Sequence, residues 1–413
     1  MAGRMLSVAA LASLLAWSRA AAQSPVVVSP AGPVTTLTQA LGLAPAGGTI
    51  RVRAGTYREP AIRITRPVTI IGDSGAVFEG GDHGILFVTA DHVTLRGLTL
   101  RRVTPSFIED RAAIRFDSVQ ACVVEDSRLE GTFFGIYLAR STGCRLSRNV
   151  IAGEGTSEVH SGNAIHLWNS SDITVDGNLL TGHRDGIYLE FSRGARILRN
   201  ESTANYRYGL HFMFSHECEY RGNRFAANGA GVAVMYSRQV VMDRNRFEDN
   251  WGAAAYGLLL KEIRDSRITG NTISGNSVGL YLEGSSRNEV RGNVFVSNGW
   301  AVRLLADAEQ NTFTRNQFTG NSFDVATNSR SNYSVFRENY WDQYEGYDLD
   351  RDGYGDIPFR PVRLFSMLVQ RYEPALILLR SFFVDLLDAA ERVLPVLTPE
   401  TLVDERPLMR APA

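Results

Sequence analysis

Gly209-Leu210-His211-Phe212-Met213-Phe214-Ser215 and Gly231-Val232-Ala233-Val234-Met235-Tyr236-Ser237 align position for position, 22 residues apart. In both strings apolar residues recur at every second position, as in a half-buried β-strand. Leu210 and Phe212 share one face, matched by Val232 and Val234. His211 and Met213 share the other, matched by Ala233 and Met235. If successive copies stack as parallel strands, equivalent residues sit ~4.8 Å apart. Met213 and Met235 then become neighbours on one outer surface, with His211 one pleat away.

The same pattern extends in both directions. An asparagine closes each repeat: Asn149, Asn178, Asn200, Asn223, Asn245, Asn271, Asn293, Asn316 and Asn339, at intervals of 22 to 29 residues. A second asparagine follows five residues later at Asn205, Asn228, Asn250, Asn276, Asn298 and Asn321. A unit of 22 or 23 residues built from short strands and Asn/Gly turns is too short for a propeller blade, and no leucine-rich consensus is present. The fitting architecture is all-β: a right-handed parallel β-helix, each turn stacked on the last. Asparagine tolerates left-handed backbone at the turns, and stacked copies can hydrogen-bond as ladders. The longer intervals place extra loop residues at 153–162 and at 251–256, the latter beside Met213 and Met235. Open solenoid ends invite edge pairing. Thr36 to Leu41 reads as a short helix capping the N-terminal end, and the solenoid is assigned to residues 26–345, with the repeat ending near Trp341.

Composition narrows the classes of function. The formal net charge of −1 over 413 residues leaves no basic footprint for nucleic acid. Residues 1–22 read as a secretory signal peptide: Arg4, an apolar run from Met5 to Trp17, then Ala20-Ala21-Ala22 as cleavage site. That run is shorter than the ~20 residues a membrane span requires. Cys122, Cys144 and Cys218 show no C-x-x-C spacing. Cys144 and Cys218 fall on the inward face and are expected to act as small buried hydrophobes rather than metal ligands.

Residues 346–413 have a different character. Asp348, Asp350, Asp352 and Asp356 follow the D-x-D-x-D-G spacing of a calcium loop, with Gly353 at the turn. Phe359 stands where the twelfth-position acid belongs, so a solvated acidic turn is the competing reading. From Pro374 to Leu394 an amphipathic helix is expected, with Leu376, Leu379, Phe383, Leu386 and Leu387 on its apolar face. Its charged residues exclude a span; it suits a membrane surface, a membrane partner or packing back on the solenoid.

Aligned by repeat, the outward residues form two columns. One reads His166, Tyr188, His211, Ala233, Leu259, Tyr281; the other reads Trp168, Glu190, Met213, Met235, Lys261, Glu283. Methionine has no ordinary reason to face away from a core. Thioether and imidazole donors suit Cu(I) and serve carboxylate-preferring cations poorly. The bland alternative is that the two methionines pack beneath a loop. Two other classes of function compete: a polysaccharide lyase or epimerase, and a carbohydrate-binding surface protein. A lyase requires clustered carboxylates with a basic residue. Glu190, Lys261 and Glu283 are the candidates, but Met213 and Met235 separate them, and Lys261 with Glu283 makes a cross-strand ion pair more simply.

The strings at 209–215 and 231–237, Asn250-Trp251-Gly252, and Tyr256-Gly257-Leu258-Leu259-Leu260-Lys261-Glu262-Ile263 resemble the NosD family, periplasmic copper-binding proteins that serve maturation of nitrous oxide reductase. The resemblance extends over nearly all of the mature chain, including Asn339-Tyr340-Trp341 and the acidic loop. It implies a non-enzymatic, periplasmic role beside the ATPase and permease of an ABC transporter, with copper arriving from a lipoprotein chaperone. Phe212 and Phe214 stand where tyrosine is common in the family, which leaves the donor atoms unchanged.

Overall fold

The computed structural model describes residues 24–106, 108–251, 255–329, 331–379, 381–393 and 402–412. The signal-peptide segment lies outside the described residues. The chain winds as a right-handed parallel β-helix of about 14 turns. Three parallel sheets run along it, with 14, 12 and 13 strands among the described residues. The first extends from Val26–Val28 to Val335–Arg337, the second from Ile62–Ile64 to Phe323–Thr327, the third from Gly55–Tyr57 to Tyr340–Trp341. Alternation drives the winding: Ile165, Ile187, Leu210, Val232, Leu258 and Leu280 are all fully buried and stack in register through the second sheet. Phe295, Phe318 and Trp341 stack face to face inside the third, at 4.9 and 4.2 Å.

The turns carry the expected asparagine ladder, but the left-handed residue is a different one. The ladder asparagines do not take left-handed backbone. The residue before each one does: Arg148, Gly177, Arg199, Gly222, Arg244, Gly270, Gly292, Arg315 and Glu338 all have positive φ. The asparagine is needed for its side chain. Asn245 Oδ1 accepts from the Asn223 backbone N–H at 3.0 Å and from Asn223 Nδ2 at 2.9 Å. Asn245 Nδ2 donates to the Tyr220 carbonyl at 2.9 Å and to Asn271 Oδ1 at 3.0 Å. Each buried corner is thus satisfied by the rung above and the rung below. A second ladder runs from Asn205 to Asn321, and a serine ladder closes the corner after the second sheet, with Ser192 N donating to Ser215 Oγ and Ser215 N to Ser237 Oγ.

Both ends are covered. Helix α1 (Leu37–Leu43) seats Leu37, Ala40 and Leu41 in the core, with the Thr36 side chain accepting from Gln39 N at its N-cap. At the other end the chain returns after its helical segment. Asp404, fully buried, takes the place of the next asparagine: its Oδ2 accepts from Asn339 N, Asn339 Nδ2 and Trp341 Nε1.

The single helix expected from Pro374 to Leu394 is instead divided. Helix α2 (Leu364–Arg371) comes first, then a 3-10 helix over Glu373–Leu378 containing Pro374, then α3 (Phe382–Val393). Leu379 turns to extended ψ and ends the 3-10 helix. The break lets Ala375, Leu379, Val384 and Leu387 pack against Phe323, Phe365 and Val369. Of the two cysteines expected as small buried hydrophobes, Cys218 is free and buried, whereas Cys144 forms a disulfide with Cys122 on the adjacent rung.

Substituting Asn245→Ala strands the Asn223 N–H and the Tyr220 carbonyl without partners. At roughly 1–3 kcal/mol for each buried unsatisfied group, a loss of about 3 kcal/mol is expected. Urea unfolding should show it as a lowered midpoint; a loss below ~1 kcal/mol would mean that the ladder contributes little.

Candidate metal centre

The site face is the outer surface of the second sheet. Parallel pairing gives Tyr188↔His211↔Ala233 and Glu190↔Met213↔Met235↔Lys261. Met213 and Met235 are therefore direct cross-strand neighbours, ~4.8 Å apart along the solenoid axis, and both are half-buried. Lys261 Nζ meets Glu283 Oε1 at 2.7 Å, the expected ion pair. Gly252 to Ala254, in the insertion expected to shield the site, lie outside the described residues.

His211 is on the same strand and face but is only 3 % exposed. Its ring packs edge-on to Tyr188 at 5.0 Å and against Tyr208 at 4.8 Å. Nδ1 lies 3.6 Å from Asp185 Oδ2, and neither ring nitrogen makes a hydrogen bond. Leaving two polar atoms unmade in a buried place costs about 1–3 kcal/mol each. Such an imidazole is a donor in waiting. An imidazole nitrogen and two half-open thioethers are the donor types that suit Cu(I). Ala233, which faces His211 on the next rung, is itself buried.

The other candidate ligands are dispersed. His166 stacks on Tyr137 at 4.4 Å, and burial pushes its pKa down to about 3. His183 sits in the ladder position before Asn205, and burial lowers it to about 4. Cys218, pushed up to about 12 by burial, is a poor thiolate. Among the described residues the sole group of three or more His, Cys, Asp or Glu donors close enough for one ion is Asp348, Asp350 and Asp352. Asp356 stands apart, accepting from Leu349 N at 2.7 Å, while Asp352 Oδ2 meets Arg406 at 2.7 Å.

Two features were not anticipated from the repeat. Asp185 is fully buried on this face; its Oδ1 accepts from Tyr208 N at 3.2 Å. Beside the methionine column, Phe191, Phe214 and Tyr236 form an exposed stack at 5.3 and 4.9 Å. All three have φ near +50°, costly for bulky side chains. Their position immediately after Glu190, Met213 and Met235 was the available signal.

Fold and face together define a parallel β-helix with its candidate site on the outer face of the second sheet. Similar solenoids serve unlike ends. The catalytic unit of a GH87 alpha-1,3-glucanase from Streptomyces thermodiastaticus superposes with a TM-score of 0.58 at 15% identity, covering 78% of this chain and 66% of that one. PfbA, a surface adhesin of Streptococcus pneumoniae, gives 0.57 at 11% identity, covering 73% and 92%. At such identities only the fold is shared. Sequence is more specific. A family model described as "Periplasmic copper-binding protein (NosD)" matches residues 153–346. A protein of Pseudomonas aeruginosa named "Probable ABC transporter binding protein NosD" is 31% identical over 87% of this chain and 88% of its own length. The chain belongs to the NosD family of periplasmic copper-binding proteins.

Proposed function

We propose that this protein is a non-enzymatic carrier that takes up Cu(I) between Met213 and Met235, with His211 as third donor, and passes it on for the copper centre of nitrous oxide reductase. The observation that carries this reading is the in-register Met213↔Met235 pair on an outward face, beside an imidazole whose nitrogens have no partner. Copper is cargo here, and weak thioether ligation suits an ion that must leave again. The lyase or epimerase alternative is disfavoured: Lys261 is engaged by Glu283, and Glu190 lies two rungs beyond Met235 from any basic partner in its column. A carbohydrate-binding surface role has no comparable cluster to support it.

The carrier works in the periplasm after export, with the permease and ATPase of an ABC transporter, receiving copper from a lipoprotein chaperone. The relative's name supports the transporter association. The docking element is the segment 364–393. No helix of the described residues is long and apolar enough to cross a membrane, yet Ile377 and Phe382 are 89% and 80% exposed. Apolar exposure of that kind marks an interaction surface, here a permease at the membrane. Calcium in the acidic loop is a subsidiary reading, supported by the convergence of Asp348, Asp350 and Asp352 and weakened by the pairing of Asp352 with Arg406.

The double substitution Met213→Leu/Met235→Leu keeps volume and should change stability by less than about 1.5 kcal/mol. Anaerobic Cu(I) competition titration should show at least a ~100-fold loss of affinity, since two soft donors go at once; wild-type affinity in that variant would return the methionines to a packing role. For the docking segment, deleting everything after Pro361 would also remove Asp404 and uncap the solenoid. The cleaner variant is Ile377→Ser/Phe382→Ser, which should alter stability by no more than about 0.5 kcal/mol and abolish co-purification with the permease; full retention of the complex counts against this surface. If the loop holds calcium, Ca²⁺ on the order of 1 mM should raise the melting temperature, and Asp350→Asn should remove the rise. An unchanged melt leaves a solvated turn.

A further inference from the structure

Among the buried, unpartnered polar atoms of this face, two from adjacent strands face each other. Asp185 is fully buried and its Oδ2 makes no hydrogen bond. His211, on the adjacent strand, is buried with Nδ1 and Nε2 both unpartnered. The two face each other, Oδ2 to Nδ1, at 3.6 Å. The carboxylate is held in place from its other oxygen, which accepts from Tyr208 N at 3.2 Å. Arg184 Nε stands 3.8 Å from Oδ2, also without a hydrogen bond. A closure of under ~1 Å would turn the Asp185–His211 contact into a hydrogen bond.

We propose that Asp185 is a positioning residue: its carboxylate holds the His211 imidazole with the proton on Nδ1 and so leaves the Nε2 lone pair as the nitrogen donor of the Met213–Met235 site. This rests on the copper reading given above. An ionised carboxylate only accepts, so it pairs only with a protonated Nδ1. Neutral imidazole carries a single N–H, and the proton on Nδ1 therefore frees Nε2. With the ring only 3 % exposed, the neighbouring carboxylate rather than bulk solvent sets the tautomer. Histidines that bind metal ordinarily donate their second nitrogen to a carboxylate or carbonyl, and loss of that partner costs about 10–100-fold in affinity. Asp185 supplies that partner across the rung boundary, from a strand 23 residues earlier than Tyr208, to which its backbone is paired.

Asp185→Asn keeps the shape and removes the obligatory acceptor. Its amide can donate to Nδ1, which moves the ring proton to Nε2 and blocks the donor. The test uses the full chain with ring-¹⁵N histidine, without copper, and long-range ¹H–¹⁵N correlation; the His211 signals are assigned by their loss in His211→Gln. The wild-type spectrum should show a protonated Nδ1 and an unprotonated Nε2, and Asp185→Asn should shift the population towards Nε2–H. Anaerobic titration with Cu(I) alone should then show a dissociation constant about tenfold higher than wild type. A wild-type ring with its proton on Nε2 overturns the proposal even if the variant does not fold. So does a folded variant with unchanged tautomer and affinity. The copper-free spectrum separates this idea from the metal reading: should Met213→Leu/Met235→Leu bind Cu(I) normally, the metal reading falls while the tautomer measurement still stands on its own.

Discussion

Everything in this solenoid depends on satisfying backbone amides at buried corners. A parallel β-helix turns three times per rung, and each turn leaves peptide groups that cannot reach solvent. Here one residue in left-handed backbone redirects the chain, and the next side chain binds the peptides of the rungs on either side. The αL residue need not be glycine, as Arg148, Arg199 and Arg244 show. The following residue is far less free, because only a short amide or hydroxyl reaches two neighbouring rungs. That is why asparagine, and at the corner after the second sheet serine, recurs with the period of the fold. The last corner has no further rung, so Asp404 is brought back from 65 residues away to accept the Asn339 N–H.

The ladders also set register, and register sets the site. Parallel strands anchored at every corner cannot slip by a residue without breaking a buried hydrogen bond, so equivalent positions stack faithfully. The architecture, the inward column from Ile165 to Leu280 and the neighbouring of Met213 and Met235 were therefore legible from spacing alone. So was the Lys261–Glu283 pair. The Cys122–Cys144 bridge could have been read as well: their separation of 22 residues is one rung.

What escaped the sequence lay where period two fails. Asp185 and Ile187 have the same parity, which puts Asp185 inside. Yet pairing runs Asp185↔Tyr208 and then Ile187↔Leu210, passing over Gly186 and Gly209. A Cβ on Gly186 would lie 1.9 Å from Ser202 Oγ and 2.6 Å from the Gly209 carbonyl, so this glycine takes the inward position and turns Asp185 out beside His211. A missing side chain thereby flips the residue before it. The division of the C-terminal helix has another cause. Its apolar positions follow helical spacing, but they answer to two surfaces, the end of the solenoid at Phe323 and the exterior, and a single straight helix cannot serve both.

The same rigidity bears on how a soft ion could be held and released. Ladder-anchored strands hold the Met213 and Met235 backbones at a fixed spacing, so little ordering remains to oppose binding, which comes down to rotamers of two flexible side chains. The thioethers are half-open to solvent while the imidazole two residues along the strand is closed off and held among aromatic rings and a carboxylate. On the copper reading this divides the work. The methionines meet the ion at the surface and can exchange it with a partner's ligands one at a time. A buried imidazole nitrogen in the set would favour an ion that accepts mixed N/S donors. The exposed, strained stack of Phe191, Phe214 and Tyr236 beside the methionines then has a physical reason. A direct hand-over needs a dry contact around the exchanging ligands, and apolar rings exclude water from such a rim as the polar turn residues of the other rungs would not.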